Sequence, residues 1–276
     1  MMVISKREAE ERKRMLPVEN LERLIDDRPA PPSFGAALSR KGGVLKVIAE
    51  VKRASPSAGR IRGEVDPYSL VDGYRRAGAA AASIITCGRY FEGSLEDLKS
   101  ASNVEAFPIL RKDFVSNPYQ VLESRAFGAS SVLLISDALE EKELKRLIAL
   151  ALSIDLEPLV EVHTYDALAK ALFCGAEIIG INNRDLKTLE VDLSTTERLI
   201  RHIPEGFAVV SESGIKTSDD ARRMEMLGVD ALLIGEALMR AEDPERALSD
   251  FISEIILRSC ANAGSQPDLV VRRKPK

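Results

Sequence analysis

The chain has 276 residues, enough for one or two ordinary domains and close to the roughly 250 residues that an α/β barrel uses as a single domain. Its 45% hydrophobic and 30% charged residues suit a globular protein with a large core, and a net charge of −4 argues against nucleic-acid binding. Three cysteines, none of them in a C-x-x-C pair, and two histidines argue against a disulfide framework and a metal cluster. No apolar stretch has the length of a membrane helix, and the charged N-terminus lacks the apolar segment of a secretory signal. We therefore expect a cytoplasmic protein without a bound metal.

Two short helical patterns open the chain, at residues 6–15 and 18–25. Three prolines between residues 29 and 32 then interrupt the helical pattern. We predict that residues 1–40 form a helical extension that packs on the domain that follows.

From residue 45 onward, short apolar runs rich in Val, Ile and Leu alternate with longer amphipathic segments. Continuous apolar runs are typical of strands buried on both faces, as in a parallel sheet. Eight β-then-α units are the number of a closed barrel, so we predict an α/β fold of the (β/α)8 TIM-barrel class over residues 41–260 and a flexible tail over 261–276. The eight runs are residues 45–51, 82–86, 108–110, 131–135, 158–162, 178–181, 208–210 and 231–234.

A weak internal repeat supports the barrel. Gly78, Gly128, Gly175 and Gly228 follow helical segments and precede the even-numbered runs, at intervals of 50, 47 and 53 residues. Glycine favours the left-handed conformation that ends many helices. Four such similar quarters favour repeated (βα)₂ units over a doubly wound open sheet, which is the alternative.

Charged side chains stand at the ends of the odd-numbered runs, where barrel enzymes place their chemistry. Burying a charge costs several kcal/mol unless it is paired or hydrated, so one such residue alone would indicate a solvated loop or a structural ion pair. Several at equivalent strand ends indicate a shared polar site. Glu50 and Lys52 are two apart on one strand, so they point to the same side and can pair. The candidates are Glu50, Lys52, Lys112, Glu161 and Glu212, joined by Asn182 at the end of run six.

The loops after runs seven and eight carry the signals of a phosphate site. Ser213 and Gly214 follow run seven, and Gly235 and Glu236 follow run eight, where barrels often bind phosphate through backbone N–H groups. Each motif alone is weak, and Glu236 has the wrong charge although its N–H can donate. Ser55, in the loop after run one, offers a further hydroxyl.

Two aromatic residues, Phe91 and Phe114, follow runs two and three. Either one alone is as well explained by packing under a loop. Together at the mouth of a barrel they would form a pocket for a flat ring.

Seven segments of the sequence resemble the indole-3-glycerol phosphate synthase family, in family order and over roughly residues 34–241. The blocks IAEVKRASPS and LRKDF are highly specific, whereas IGEALM occurs in several phosphate-binding barrels. The segments are IAEVKRASPS at 48–57, YFEGS at 90–94, LRKDF at 110–114, LVEVH at 159–163, INNRDL at 181–186, SESGI at 211–215 and IGEALM at 234–239.

The resemblance implies a carboxy-lyase of tryptophan biosynthesis that uses no cofactor or metal. Its substrate would be 1-(2-carboxyphenylamino)-1-deoxyribulose 5-phosphate, which is converted into indole-3-glycerol phosphate, carbon dioxide and water. The expected partner is this phosphorylated small molecule, without nucleic acid or membrane. A monomer is the expected state, with other tryptophan-pathway enzymes as conceivable partners.

The resemblance also implies roles for individual residues. Lys112 resembles the general acid of ring closure, Glu161 the acid or base of the later dehydration, and Lys52 a lysine that holds the substrate carboxylate. The remaining expected contacts are Glu50, Asn182 and Glu212 for orientation and hydroxyl binding; Ser55, Ser213, Gly214, Gly235 and the backbone of Glu236 for phosphate; Phe91, Phe114, Leu133 and Leu186 for the ring; and Arg184 for a further substrate contact.

The chemistry agrees with this assignment, because attack by the ring puts negative charge on the former carbonyl oxygen and a nearby ammonium stabilises and protonates it. Partial burial beside Lys52 would lower the pKa of Lys112 and help it donate. Two departures from the family are Cys87, where an acidic residue is usual, and a loosely matching N-terminus, which in the family packs over the active-site end.

Two alternatives remain. A barrel like phosphoribosylanthranilate isomerase would bind phosphate but gives no reason for the IAEVKRASPS and LRKDF blocks together. A non-catalytic phosphate-binding barrel subunit gives no reason for the full set of family catalytic residues.

Overall fold

In the computed structural model, which describes residues 2–40, 43–186 and 188–262, eight parallel strands form a closed barrel. Each strand pairs with the next along the chain, and the first also pairs with the last. The predicted TIM-barrel class is confirmed, and each of the eight predicted runs contributes a strand. The strands are β1 Lys46–Val51, β2 Ala81–Ile85, β3 Ile109–Lys112, β4 Ser131–Ile135, β5 Glu157–Val162, β6 Ile178–Asn182, β7 Ala208–Glu212 and β8 Ala231–Ile234.

Helices surround the barrel, and a short hairpin of Ala54–Ser55 with Gly59–Arg60 follows β1. The four repeated glycines have φ between 83° and 96°, so the predicted left-handed residues after helices are confirmed. None of the helices in the described residues has the length and apolar character needed to cross a membrane. The helices are α1 Met2–Met15, α2 Val18–Asp26, α3 Phe34–Leu38, α4 Pro67–Arg76, α5 Gly88–Phe91, α6 Leu95–Ala101, α7 Pro118–Ala126, α8 Glu141–Leu152, α9 Tyr165–Phe173, α10 Ser194–Ile200, α11 Ser218–Met226, α12 Glu236–Arg240 and α13 Pro244–Asn262, with a 3-10 turn at Ser136–Ala138.

The barrel interior is a packed core rather than a pore. Ile48, Leu110, Leu159 and Val210 are fully buried there, one from each odd-numbered strand, as expected when alternate strands supply each layer of a barrel. Two residues further along each of these strands, the side chain again points inward, because side chains alternate along a strand. At that next level the sequence changes from aliphatic to ionisable residues, and this change places the polar site at the carboxyl ends of the strands.

The N-terminal extension follows one side of the barrel from end to end. Ser5 of α1 donates a 3.4 Å hydrogen bond to Asp113, just beyond the carboxyl end of β3, and Leu21 of α2 packs against α7. At the opposite end, Phe34 and Leu38 of α3 are buried against the first residues of the strands and close the barrel floor.

The family expectation that the N-terminus lies over the active-site end therefore fits the start of α1, whereas α3 lies at the far end. The division into an extension of residues 1–40, a barrel of 41–260 and a tail of 261–276 stays a prediction. Helix α13 runs to Asn262, and the rest of the predicted tail lies outside the described residues.

Candidate active site

One lysine links three strands at the mouth of the barrel. The Nζ atom of Lys112 lies 3.1 Å from Oε2 of Glu161 and 3.2 Å from Oε2 of Glu212. The lysine ends β3, while the two glutamates come from β5 and β7, so barrel closure brings together side chains up to 100 residues apart. The carboxylates are almost fully buried and the lysine side chain is 16% exposed, which leaves one face open to a ligand.

A second ion pair lies on β1. Nζ of Lys52 is 2.9 Å from Oε1 of Glu50, as the spacing of these residues predicted. Gly235 lies in the loop after β8, the strand that pairs with β1, and directly against the same carboxylate. A Cβ atom added there would lie 2.5 Å from Oε1 of Glu50. Gly235 therefore leaves the space that the Glu50 carboxylate occupies, in addition to any role in binding phosphate.

The pKa of Lys112 is raised, so the expected lowering was wrong. Burial of the ammonium does favour the neutral form, but the attraction of Glu161, Glu212 and Glu50 outweighs it. The expectation rested on Lys52 as the neighbour, whereas in the barrel each lysine has carboxylate partners of its own. Lys112 is therefore a firmly held cation.

The two carboxylates beside Lys112 differ in their protonation. Burial tends to raise the pKa of both. For Glu161 the charges of Lys112 and His163, with a hydrogen bond from Asn182, outweigh burial and lower the pKa. For Glu212 the effect of burial on the pKa outweighs the attraction of Lys112, and repulsion from Glu161 raises the pKa further, to about 7. Glu161 is thus the anion of the pair, and Glu212 is the group that holds a proton near neutral pH.

Asn182 has its side chain fixed between two neighbours. It donates a hydrogen bond to the Glu161 carboxylate, and its Oδ1 atom accepts a 3.0 Å bond from the backbone N–H of Arg184. It also lies opposite Glu212 in the register of β6 and β7. Asn182 therefore joins the acidic groups, as the sequence indicated.

The predicted phosphate-binding residues follow β7, β8 and β1, which are neighbours in the barrel. Ser213 and Gly214 both have positive φ, of 66° and 85°. The Oγ atom of Ser55 accepts a 3.2 Å hydrogen bond from Ala58 within the hairpin. The Glu236 carboxylate pairs with the exposed Arg240 at 3.0 Å, so its charge has a partner of its own.

Three of the four residues predicted to line a ring pocket come together. The rings of Phe91 and Phe114 lie 6.4 Å apart between centroids, and Phe114 packs against the interior cluster that contains the buried Leu133. Leu186 stands apart, with 48% exposure, in the loop after β6. In the same loop, the guanidinium of Arg184 donates a 2.9 Å hydrogen bond to the carbonyl of Leu189.

His163 also lies beside the site, although no role was predicted for it. Its Nε2 atom is 3.4 Å from Oε1 of Glu161, and its Nδ1 atom is 3.1 Å from Oδ2 of Asp137. The signal was present, because His163 follows Glu161 by two residues, the same spacing that predicted the pair on β1.

Arg111 was also missed. It is fully buried on the outer side of β3, with its guanidinium 3.1 Å from Asp113 and 3.0 Å from Glu123. Arg12 of α1 binds the same Glu123 at 2.6 Å. These contacts fix the strand end that carries Lys112. Among the described residues, no group of three or more His, Cys, Asp or Glu side chains is arranged to hold a metal ion.

Two comparisons of sequence with known proteins agree on one family. The sequence model described as indole-3-glycerol phosphate synthase matches residues 2–251. A protein of that name from Dehalococcoides mccartyi (strain CBDB1) is 47% identical over 237 residues, which cover 85% of this chain and 91% of the relative. One from Campylobacter jejuni subsp. doylei (strain ATCC BAA-1458 / RM4099 / 269.97) is 44% identical over 245 residues, 88% of this chain and 95% of the relative. Among solved structures, KGPDC from Streptococcus mutans has a TM-score of 0.59 at 16% identity and covers 78% of this chain and 98% of its own, a likeness of fold.

Proposed function

The chain belongs to the indole-3-glycerol phosphate synthase family, and we propose that the ionisable side chains at its barrel mouth carry out that family's ring closure, decarboxylation and dehydration. The enzyme is a carboxy-lyase of tryptophan biosynthesis that acts on a phosphorylated small molecule. The observation that carries the assignment of roles is the position of Lys112 between Glu161 and Glu212.

In the first step, the aromatic carbon that bears the carboxylate attacks the carbonyl carbon of the sugar chain. The C=O electrons move to oxygen, and the Lys112 ammonium stabilises the developing alkoxide and then donates a proton to it. The raised pKa of Lys112 suits this order, because the cation persists until an alkoxide, which is far more basic, has formed. Glu212, with a pKa of about 7, is the nearest group able to return a proton to the lysine.

In the second step, the bond to the carboxylate breaks, and its electron pair restores the aromatic ring. Lys52 pairs with the substrate carboxylate beforehand, and Glu50 keeps the lysine in place at 2.9 Å. Once carbon dioxide has left, Lys52 keeps Glu50 as its charged partner.

In the third step, the former carbonyl oxygen leaves as water and a proton leaves the carbon next to nitrogen. Glu161 is assigned this acid–base work. Its lowered pKa makes it the anion that accepts the proton from carbon, and Asn182 holds its orientation. Lys112, which regained its proton from Glu212 after ring closure, donates the proton with which the hydroxyl leaves as water. The sequence donates two protons and removes one, so each turnover takes one proton from solvent.

A turnover assay tests this assignment. The purified protein should form a fluorescent indole from the carboxyphenylamino sugar phosphate and should not convert phosphoribosylanthranilate, the substrate of the rival isomerase. The chain contains no Trp, so the protein background is low. Lys112→Ala is the matched variant. Turnover of phosphoribosylanthranilate alone would favour the isomerase, and no turnover of either would favour a non-catalytic barrel subunit.

We further propose that the enzyme works in the cytoplasm as a monomer. The buried Cys87 and Cys174 are both free thiols, which suits a reducing compartment. Light scattering of the purified protein tests the monomer: a mass of about 30 kDa supports it, and twice that mass contradicts it. Co-purification with other tryptophan-pathway enzymes would reveal the partners that the family suggests.

A further inference from the structure

His163 lies between two carboxylates, Glu161 on β5 and Asp137 in the turn Ser136–Ala138 that follows β4. Its Nδ1 atom is 3.1 Å from Oδ2 of Asp137, and the same oxygen accepts a 3.1 Å hydrogen bond from the backbone N–H of His163. The other Asp137 oxygen accepts a 3.2 Å bond from Thr164. The ring is therefore fixed from one side. Its remaining nitrogen, Nε2, is buried, makes no hydrogen bond and lies 3.4 Å from Oε1 of Glu161, which makes the contact purely electrostatic.

This arrangement gives each oxygen of the Glu161 carboxylate a separate cationic neighbour. Oε1 faces Nε2 of His163 at 3.4 Å, and Oε2 faces Nζ of Lys112 at 3.1 Å. Asn182 adds a hydrogen bond. A carboxylate held on both oxygens cannot rotate freely, which matters for a group that must meet a proton in one direction.

We propose that His163 is a positioning residue for the dehydration step: as an imidazolium held by Asp137, it fixes the Glu161 carboxylate in the orientation that accepts a proton. The inference rests on the proposed role of Glu161. It adds to the site two residues beyond the ends of β5 and β4: His163 itself, and Asp137 in the turn Ser136–Ala138.

The charges around the ring favour the imidazolium. Burial of the ring opposes its charge, but the hydrogen bond to Asp137 and the attraction of Glu161, Asp137 and Glu212 raise the pKa of His163 above 6.5. The positive charge is therefore present at pH 6.5 and below, and it is lost as pH rises through the raised value.

Other charged groups face the pair from the elements packed around it. Lys112 on β3 and Glu212 on β7 face Glu161, and Glu50 on β1 acts on both of these groups. On its outer side, the ring borders a surface groove of about 230 Å³ whose walls include Tyr165, Arg198 and His202. Arg198 is engaged by Ser194 in the same helix α10 and by Asp192 just before that helix, so the ion pairs of the ring are those with Asp137 and Glu161.

The kinetic expectation follows from the loss of one charge-assisted contact. His163→Gln keeps a polar side chain but cannot become a cation. Because the contact to Glu161 is electrostatic and not a hydrogen bond, we expect kcat to fall by less than about 10-fold, below the effect of losing a hydrogen bond to a charged group. KM should stay within about two-fold, since His163 acts through Glu161 and not on the substrate.

A pH profile separates this role from a purely structural one. In a single turnover, wild-type indole formation after carbon dioxide release should decline on the alkaline side as His163 loses its proton, and His163→Gln should lack that decline. Loss of the Glu212 proton acts at ring closure and therefore delays carbon dioxide as well. Asp137→Asn should shift the decline to lower pH, because it removes the charge that stabilises the imidazolium. His202→Gln is the matched control and should leave the profile unchanged. If His163→Gln shows the same alkaline decline as the wild type, the proposal is overturned.

Nuclear magnetic resonance provides a readout that does not depend on turnover. The chain has two histidines, so a sample with labelled histidine gives two ring signals, and His202→Gln identifies that of His163. The pKa of His163 should lie above 6.5 and should fall in both Asp137→Asn and Glu161→Gln. An unshifted pKa in both variants overturns the inference. If the pKa falls as expected but Glu161→Gln keeps full turnover, the role proposed for Glu161 is what fails.

Discussion

Replacement of Glu212 by glutamine should stabilise the fold while impairing the enzyme, because the native glutamate is held in an unfavourable ionisation state. Its pKa rises from the ordinary 4.5 to about 7, and each pKa unit is equivalent to about 1.4 kcal/mol. The difference corresponds to about 3 kcal/mol of free energy of unfolding. Because the folded-state pKa is the higher one, the stabilising contribution of Glu212 is complete below pH 4.5 and is lost as pH rises through 7.

Glutamine has nearly the same shape as glutamate and never ionises, so its contribution to the free energy of unfolding does not fall as the pH rises. Lys112 keeps Glu161 at 3.1 Å and is not left without a partner. We therefore expect Glu212→Gln and the wild type to be nearly equal in free energy of unfolding at pH 4.5, and the variant to be more stable by about 3 kcal/mol at pH 8. Turnover should fall despite this gain, as is common when a strained active-site group is replaced.

Urea unfolding followed by circular dichroism at the two pH values measures the effect. Glu11→Gln is a suitable control, because this glutamate forms an exposed i,i+4 pair with Arg7 and should change the free energy of unfolding by less than about 0.5 kcal/mol at either pH. A gain of equal size at both pH values, or a loss of stability at pH 8, would refute the reasoning.

Three further substitutions test the site. Lys112→Ala should lower kcat by roughly 10² to 10⁴ with a much smaller change in KM, measured by steady-state indole fluorescence; near-normal turnover in a folded variant would exclude Lys112 as the general acid. Glu161→Gln should release carbon dioxide in a first turnover faster than it forms indole, whereas equal delay of both products would place Glu161 at or before ring closure. Gly235→Asp should raise KM steeply and also lower kcat, since any Cβ there lies 2.5 Å from Oε1 of Glu50, while Gly63→Ala, with no atom within 4 Å, should behave as the wild type. An unchanged KM in Gly235→Asp would mean that the phosphate binds elsewhere.

The sequence was sufficient to predict the barrel, because both of its main signals are local. Buried parallel strands appear as continuous apolar runs, and helix ends as glycines that tolerate positive φ. The strand ends were less predictable. Run three stopped at residue 110, whereas β3 continues to Lys112, and run seven stopped at residue 210, whereas β7 continues to Glu212. A charged residue interrupts the apolar pattern that predicts a buried strand, and only its partners in the folded barrel explain why it is buried there.

Those partners are distant in the sequence, which also explains the error about Lys112. Its position at the site was predictable, since it ends an odd-numbered strand. Its protonation depended on which side chains surround it, and Glu161 and Glu212 reach it only through barrel closure. The buried Arg111 is a similar case, because Arg12 and Glu123 meet behind it across more than 100 residues.

The ion pairs of Lys112 have a consequence for how the chain assembles. The first four strands contribute Glu50, Lys52 and Lys112, a set with excess positive charge, and the last four contribute the two acids Glu161 and Glu212. A nascent chain that has released only its first half has an ammonium at the strand ends without its carboxylates. Contacts between residues so far apart form late because their loops must close first. The polar centre is therefore completed when the two halves dock, and a half-barrel fragment would have neither a balanced charge at its open edge nor a working site.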